Sequence, residues 1–152
     1  FFFKKIDTMV YPIIIWRKEL RPDSGGIGKF RGGLGQFMEV GVKEGYVFDF
    51  QAMFDRVNYP AKGQNGGGSG SPTLIGRDDG LKMKGKGKQF IPNGNKVHLA
   101  FPGGGGFGKV AHRDKSLIKR DLALGYISTE SAQMHYKLSE QEINSVLQNK
   151  KK

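Results

Sequence analysis

A chain of 152 residues with 37% hydrophobic content can bury one core and is short for two domains. Its 25 basic and 14 acidic side chains leave a net charge of +11, which attracts nucleic acid, an anionic membrane surface or an acidic partner, although a charge spread along a chain is more often plain solvated surface. The absence of cysteine excludes a disulfide framework and a thiolate metal site, in keeping with a reducing, cytoplasmic setting.

The chain opens FFFKKIDTMV, without an initiator methionine. Lys4, Lys5 and Asp7 interrupt it too early for a signal-peptide core, and the apolar run 10–16 is too short to cross a bilayer. The expectation is the interior of a longer chain, with no membrane association. MVYPIIIWRKEL (9–20) reads as a strand rich in β-branched and aromatic residues, with Pro12 marking an edge or a strand start. RPDSGGIGKFRGGLG (21–35) is a glycine-punctuated connection. There Asp23 and Ser24 can bond their own backbone, and Gly25, Gly26, Gly32 and Gly33 permit positive φ. QFMEVGVKEGYVFDFQAMFD then reads as a hairpin: Met38, Val40 and Val42 alternate, Lys43–Gly45 turns, and Tyr46, Phe48 and Phe50 line one face of the return.

NYPAKGQNGGGSG (58–70) is loop by composition. Short strands are expected at 73–77 and 96–101. Between them Lys82, Lys84, Lys86 and Lys88 recur at every second residue, which puts them on one face of an extended chain and suits an edge protected against pairing. Beyond Ala111 the pattern turns helical. Asp114 caps a helix to about Leu124, with Leu117, Ile118 and Leu122 inward and Gly125 as its stop. Ser128 caps TESAQMHYK, and Ser139 with Glu142 forms a capping box for a third helix bearing Ile143, Val146 and Leu147. The predicted fold is therefore mainly β with a C-terminal helical tail (α+β): a glycine-rich antiparallel β segment over 1–110, then two or three short helices over 111–152.

The most suggestive stretch chemically is FPGGGGFGKV (101–110), which spells G-x-x-x-x-G-K through Gly103, Gly108 and Lys109. A phosphate loop also needs a Ser or Thr for magnesium and a helix that opens at the lysine. Val110 supplies no hydroxyl, the next helix is expected only near Asp114, and no βαβ crossover precedes the loop. The stretch reads instead as a tight glycine hinge between β body and helical tail, with a looser anion nest as the alternative. His98, His112 and His135 lack metal-ligand spacing, and His98 is out of phase with Val97 and Leu99, hence solvent-facing. Asp78–Asp79 suits a turn, and no nucleophile–base–orienter set can be assembled. Nucleic-acid binding rests on charge, with Tyr46, Phe101 and Phe107 as the aromatics available for stacking, but no RNA-binding signature accompanies them.

Four segments in order carry a resemblance: LRPDSGGIGKFRGGLGQ (20–36), DRVNYPAKGQNGG (55–67), PGGGGFG (102–108) and RDKSLIKRDLALGYISTESAQMHY (113–136). Together they resemble the C-terminal part of the hydantoinase B / 5-oxoprolinase B-type family, which includes acetone-carboxylase-like large subunits. The resemblance implies a component of an ATP-dependent cyclic-amide hydrolase that works with a hydantoinase A-type partner of actin-like ATPase fold, with a non-catalytic assembly domain of a related carboxylase as the alternative. It implies that ATP and a divalent metal belong to the full complex rather than to this segment, and that catalytic groups lie in the N-terminal part of the B-type chain. The glycine-loop positions that would shape a site or subunit interface are Asp23, Ser24, Gly25, Gly26, Gly103, Gly104, Gly105, Gly106 and Gly108. Members usually read PGGGGYGDP, whereas Lys109 and Val110 follow the glycines here; an acidic residue in the lysine's place argues against a phosphate role.

Overall fold

The computed structural model describes residues 6–7 and 12–149. Among these residues, seven strands are followed by three short helices: β1 (Ile6–Asp7), β2 (Ile13–Leu20), β3 (Gln36–Val42), β4 (Phe48–Met53), β5 (Leu74–Arg77), β6 (Lys86–Ile91), β7 (Val97–Ala100), α1 (Lys115–Ala123), α2 (Thr129–Met134) and α3 (Glu140–Asn149). A single 3-10 turn, Val110–His112, precedes α1. This is the mainly β, helix-tailed architecture expected from the pattern. Residues 9–11 of the predicted first strand lie outside the described residues, and the rest of it forms β2.

The strands make a five-stranded antiparallel sheet, ordered β1-β2-β3-β7-β5, and a separate two-stranded sheet, β4-β6. The turn at 43–45 forms as expected: Tyr46 N–H donates to the Lys43 carbonyl (3.2 Å), and Gly45 takes φ +88°. The hairpin does not. β3 has β2 on one edge and β7 on the other, so β4 cannot pair with it and crosses to the second layer, where it pairs with β6. Alternating apolar residues on β3 and β4 could equally serve two strands of one sheet or two facing sheets, and here they do the latter. Met38 and Val40 of β3 meet Phe48 and Phe50 of β4 across a core that also holds Ile75, Met83, Ile91, Val97 and Leu99. Ile91 and Val97 are fully buried, each worth about 1.5–3 kcal/mol relative to exposure.

The helical tail builds a second cluster from Ile118, Leu122, Ile127, Ala132, Tyr136, Leu138 and Ile143, against which Ile27 and Val110 of the preceding segment pack. The predicted caps are present. Asp114 accepts from Ser116 N–H (2.7 Å), Ser128 Oγ from Ser131 N–H (3.0 Å), and Ser139 and Glu142 bond reciprocally. Gly125 stops α1 with φ +71°. Leu117 departs from expectation: it is exposed, because Ile118 and Leu122 already occupy the buried face of a three-turn helix. α2 is also shorter than TESAQMHYK suggested. It ends at Met134, and Lys137 in the left-handed region (φ +56°) lets Leu138 N–H return to the Ala132 carbonyl at 3.1 Å.

Candidate functional site

The three glycine-rich stretches, far apart in sequence, lie against one another as bare backbone. Residues 23–35 contact 101–108 on one side and 61–71 on the other. Gly26 N–H donates to the Gly104 carbonyl (2.8 Å), Gly104 N–H to Gly33 (2.9 Å), Gly68 N–H to Ile27 (2.7 Å), and Gly106 N–H to Gly68 (2.9 Å). Phe30 and Phe107 exchange both of their backbone bonds at 2.9 Å. The approach leaves no room for side chains. A Cβ at Gly25 would overlap the Gly32 carbonyl, at Gly26 that of Gly68, at Gly32 that of Gly104, at Gly103 that of Ser24, at Gly105 that of Lys62, and at Gly106 that of Ile27. As at the axis of a collagen triple helix, only glycine fits where three backbones converge.

This changes the reading of the glycines. Gly25, Gly26, Gly32 and Gly33 do not use positive φ; in this turn Asp23 does (φ +57°). Gly25, Gly26 and Gly32 are dictated by close approach. The stretch 101–108 is likewise no hinge but the centre of a packed layer. Five of its N–H groups are spent inside the chain: Gly103 on Ser71, Gly104 on Gly33, Gly106 on Gly68, Phe107 on Phe30 and Gly108 on Gln64. Donors committed in this way cannot converge on a phosphate, and a single 3-10 turn rather than an α-helix follows Lys109. Both the phosphate loop and the looser anion nest lose their physical basis.

All nine glycine-loop positions singled out from the sequence fall in or beside this layer, with differing roles. Ser24 is 1% exposed; its Oγ donates to the Arg21 carbonyl (2.6 Å) and accepts from Gly35 N–H (2.8 Å). It is a bracing hydroxyl with both capacities used, not a nucleophile. Asp23 bonds away from its own turn: its Oδ1 accepts from Ser128 N–H (3.0 Å), and its N–H donates to the Tyr126 carbonyl (3.1 Å). Asp23 thus ties the glycine layer to the start of α2. Gly108 takes φ +74° and turns the chain toward the helices.

Along that seam runs an open cleft of about 480 Å³. Asp23, Gly25 and Ser69 line it from the glycine layer, and Ser128, Glu130 and His135 from the helical side. No lysine or arginine lines it, unusual in a chain of net charge +11. Glu130 is held below the ordinary carboxylate range by its own backbone N–H, then by the Thr129 and Ser128 hydroxyls. The cleft therefore sets carboxylates and hydroxyls beside an apolar wall of Ile27, Ile127 and Met134, without a base aimed at a nucleophile.

A second polar feature escaped the sequence altogether. Asp121 on α1 is nearly buried and takes Arg31 from the glycine layer through Nε (2.9 Å) and Nη2 (3.4 Å), and Arg113 through Nη2 at 2.6 Å. Arg31 also donates to the Gly32 carbonyl (2.7 Å) and Arg113 to that of Lys29 (3.2 Å). One carboxylate thus fastens two guanidinium groups, and through them the glycine layer, to the helices. Beside it the Tyr136 hydroxyl is raised above the usual phenol range, chiefly by burial, with Arg113 and Arg31 opposing. Nothing in the local spelling marks the set, because Arg31 and Asp121 lie 90 positions apart.

The remaining candidates are scattered. His98 faces outward from β7 as expected, 3.5 Å from Glu39 through Nδ1. Asp79 accepts from Leu81 N–H (3.1 Å) in the turn assigned to it. Asp49 and Asp55 pair with Lys88 (2.8 Å) and Lys86 (2.7 Å). Among the described residues no group of three or more His, Asp or Glu side chains could hold a metal ion, and no helix is long and apolar enough to cross a membrane.

Comparison with known proteins adds the context for this geometry. Residues 6–110 match the family model described as hydantoinase B/oxoprolinase. An uncharacterized protein of Methanocaldococcus jannaschii is 36% identical over 135 residues, covering 84% of this chain and 23% of its own length. The caprolactamase subunit beta of Pseudomonas jessenii is 30% identical over 135 residues, covering 83% of this chain and 23% of its own. The crystal structure of the ATP-dependent caprolactamase from the same organism superposes with a TM-score of 0.71 at 22% identity, over 89% of this chain and 26% of that one. The chain spans about a quarter of the length of the curated relatives it matches.

Proposed function

The chain belongs to the hydantoinase B/oxoprolinase family, and from that premise we propose that it is the C-terminal segment of a B-type subunit acting in ATP-dependent hydrolysis of a cyclic amide of the hydantoin, 5-oxoproline or lactam kind. The observation that carries this reading is the match over residues 6–110, in the fold of an ATP-dependent caprolactamase. The division of the chain at residue 110 into a β segment and a helical tail is part of the proposal, and the end of the family match there supports it.

In this reading the chain supplies rigid form rather than reacting groups. Its glycine layer holds three loops at backbone contact, and its two arginines lock that layer to the helices. The chemistry of ring opening falls to groups on the rest of the B-type subunit, with ATP held by a hydantoinase A-type partner and a divalent metal in the assembled complex. The satisfied state of Ser24 and the internally committed N–H groups of Gly103, Gly104, Gly106, Phe107 and Gly108 support this division of labour. The cleft at Asp23, Ser128 and Glu130 is then a contact point of the assembly, and the isolated chain is inactive. A cytoplasmic setting, where ATP is available, follows from the same reading.

The test is co-expression with an A-type subunit and the remainder of a B-type subunit. The expected result is a complex that hydrolyses hydantoin, 5-oxoproline or a lactam only when ATP is supplied. Failure to associate, together with no ATP-dependent hydrolysis, would remove the proposal.

A further inference from the structure

The two-stranded sheet has two outer edges, and the sequence treats them differently. β6 is guarded: Lys86 and Lys88 alternate along it, Gly87 takes φ +99° within it, and the Gln89 side chain is bonded to both the N–H (2.7 Å) and the carbonyl (2.9 Å) of Lys84. Lysines and local irregularity are the ordinary means by which an edge is kept from pairing. β4, reading FDFQAM, carries no Lys, Arg or Pro. Among the described residues its strand hydrogen bonds go to β6 alone. Its inner side chains, Phe48 and Phe50, are anchored in the core, while Met53 at its end is 77% exposed.

A two-stranded sheet is marginal by itself and gains from a third strand. The one charge on β4 itself, Asp49, is paired with Lys88, and Asp55 just beyond its end with Lys86. What the strand offers is therefore not charge but, among the described residues, a row of peptide groups without a strand partner. About three quarters of the length of the chain's relatives lies outside the matched region.

We propose that the open edge of β4 is the docking edge for a β-strand from the part of a hydantoinase B-type subunit that this chain does not cover. The strand adds in plane, its main-chain bonds supplying the affinity, and extends the two-stranded sheet to three. This inference rests on the proposed function above and assigns it a surface.

The experiment pairs this chain with the remaining part of the M. jannaschii relative, supplied as a second polypeptide, and measures amide hydrogen exchange of the chain alone and in the mixture. The expected result is co-purification together with slowed exchange of β4 amides. Exchange at Leu117 and its neighbours on the exposed face of α1 should be unchanged. A second arm carries Gln51→Glu with Met53→Glu, exposed charged substitutions that face Lys88 and Lys86 across the pair and so keep β4–β6 matched while guarding the open edge; co-purification should be lost while the chain's own thermal melt is retained. Co-purification without protection of β4 overturns this inference and leaves the proposed function standing. Protection of β4 in the chain alone, with a dimer seen by light scattering, overturns it in favour of a second copy as occupant. Absence of any association overturns the inference and the proposed function together.

Discussion

Replacing Gly103 by alanine adds one methyl group at the most crowded point of the glycine layer. The new Cβ would lie 2.8 Å from Gly25 N and overlap the Ser24 carbonyl, where ordinary Cβ contacts begin at about 3.4 Å. The obstacle is backbone, and that backbone is fixed on both sides. Ser24 Oγ holds Arg21 and Gly35, the Ser24 carbonyl accepts from Ser71 N–H at 2.8 Å, and Gly103 N–H itself donates to Ser71 at 3.2 Å. Overpacking of this sort costs about 1–3 kcal/mol when side chains can give way, so a backbone obstacle puts Gly103→Ala at or above about 3 kcal/mol. In a chain of this size that is a fall in melting temperature of roughly 6–12 °C. Gly33→Ala is the internal control: nothing lies within 4 Å of its Cβ and its φ is not in the left-handed region, so alanine there should be neutral or stabilising by up to about 1 kcal/mol. Lys109→Ala should change stability by less than about 0.5 kcal/mol. Urea denaturation of the three variants checks the set. A Gly103→Ala protein as stable as the parent, or a Gly33→Ala protein as damaged as Gly103→Ala, would refute the claim that close backbone approach dictates these glycines.

Other consequences can be measured on the same chain. Asp121→Asn leaves Arg31 and Arg113 buried without their carboxylate and should cost about 3–5 kcal/mol by denaturant melt, whereas Asp114→Ala, losing only a helix cap, should cost about 1 kcal/mol. Glu142 is depressed to about 2, first by the Ser139 backbone N–H and then by Lys119. A carboxylate lowered on folding stabilises above its unfolded pKa, so helical ellipticity from α3 should fall as pH drops from about 4.5 toward 2, and Glu142→Gln should flatten that limb. Binding to mixed oligonucleotides should be weak even at low salt, because Lys86 and Lys88 are paired with carboxylates and Phe101 packs against the core.

Local chemistry was legible in the sequence wherever the partner was local. Asp114, Ser128 and the Ser139–Glu142 box capped the helices they were expected to cap, and the turn at 43–45 formed where Lys-Glu-Gly placed it. The outward setting of His98 followed from a period of two. What could not be read was which distant element each pattern meets. Phe48 and Phe50 alternate as well for a hairpin as for a facing sheet, and only the occupation of both β3 edges decides between them. A glycine run spells a phosphate loop, a hinge and a packed backbone layer in the same letters. The layer became visible only when 23–35, 61–71 and 101–108 were brought together, for the same reason that Arg31 gave no sign of Asp121.

The most direct measurement is ATP-dependent ring opening by the reassembled system: this chain, the remainder of a B-type subunit and an A-type partner, with each omitted in turn. The account predicts hydrolysis of a cyclic amide that requires ATP and all three polypeptides, and that falls with Gly103→Ala in step with the loss of folded chain. Full hydrolysis without this chain, or none with all three present and associated, would contradict it.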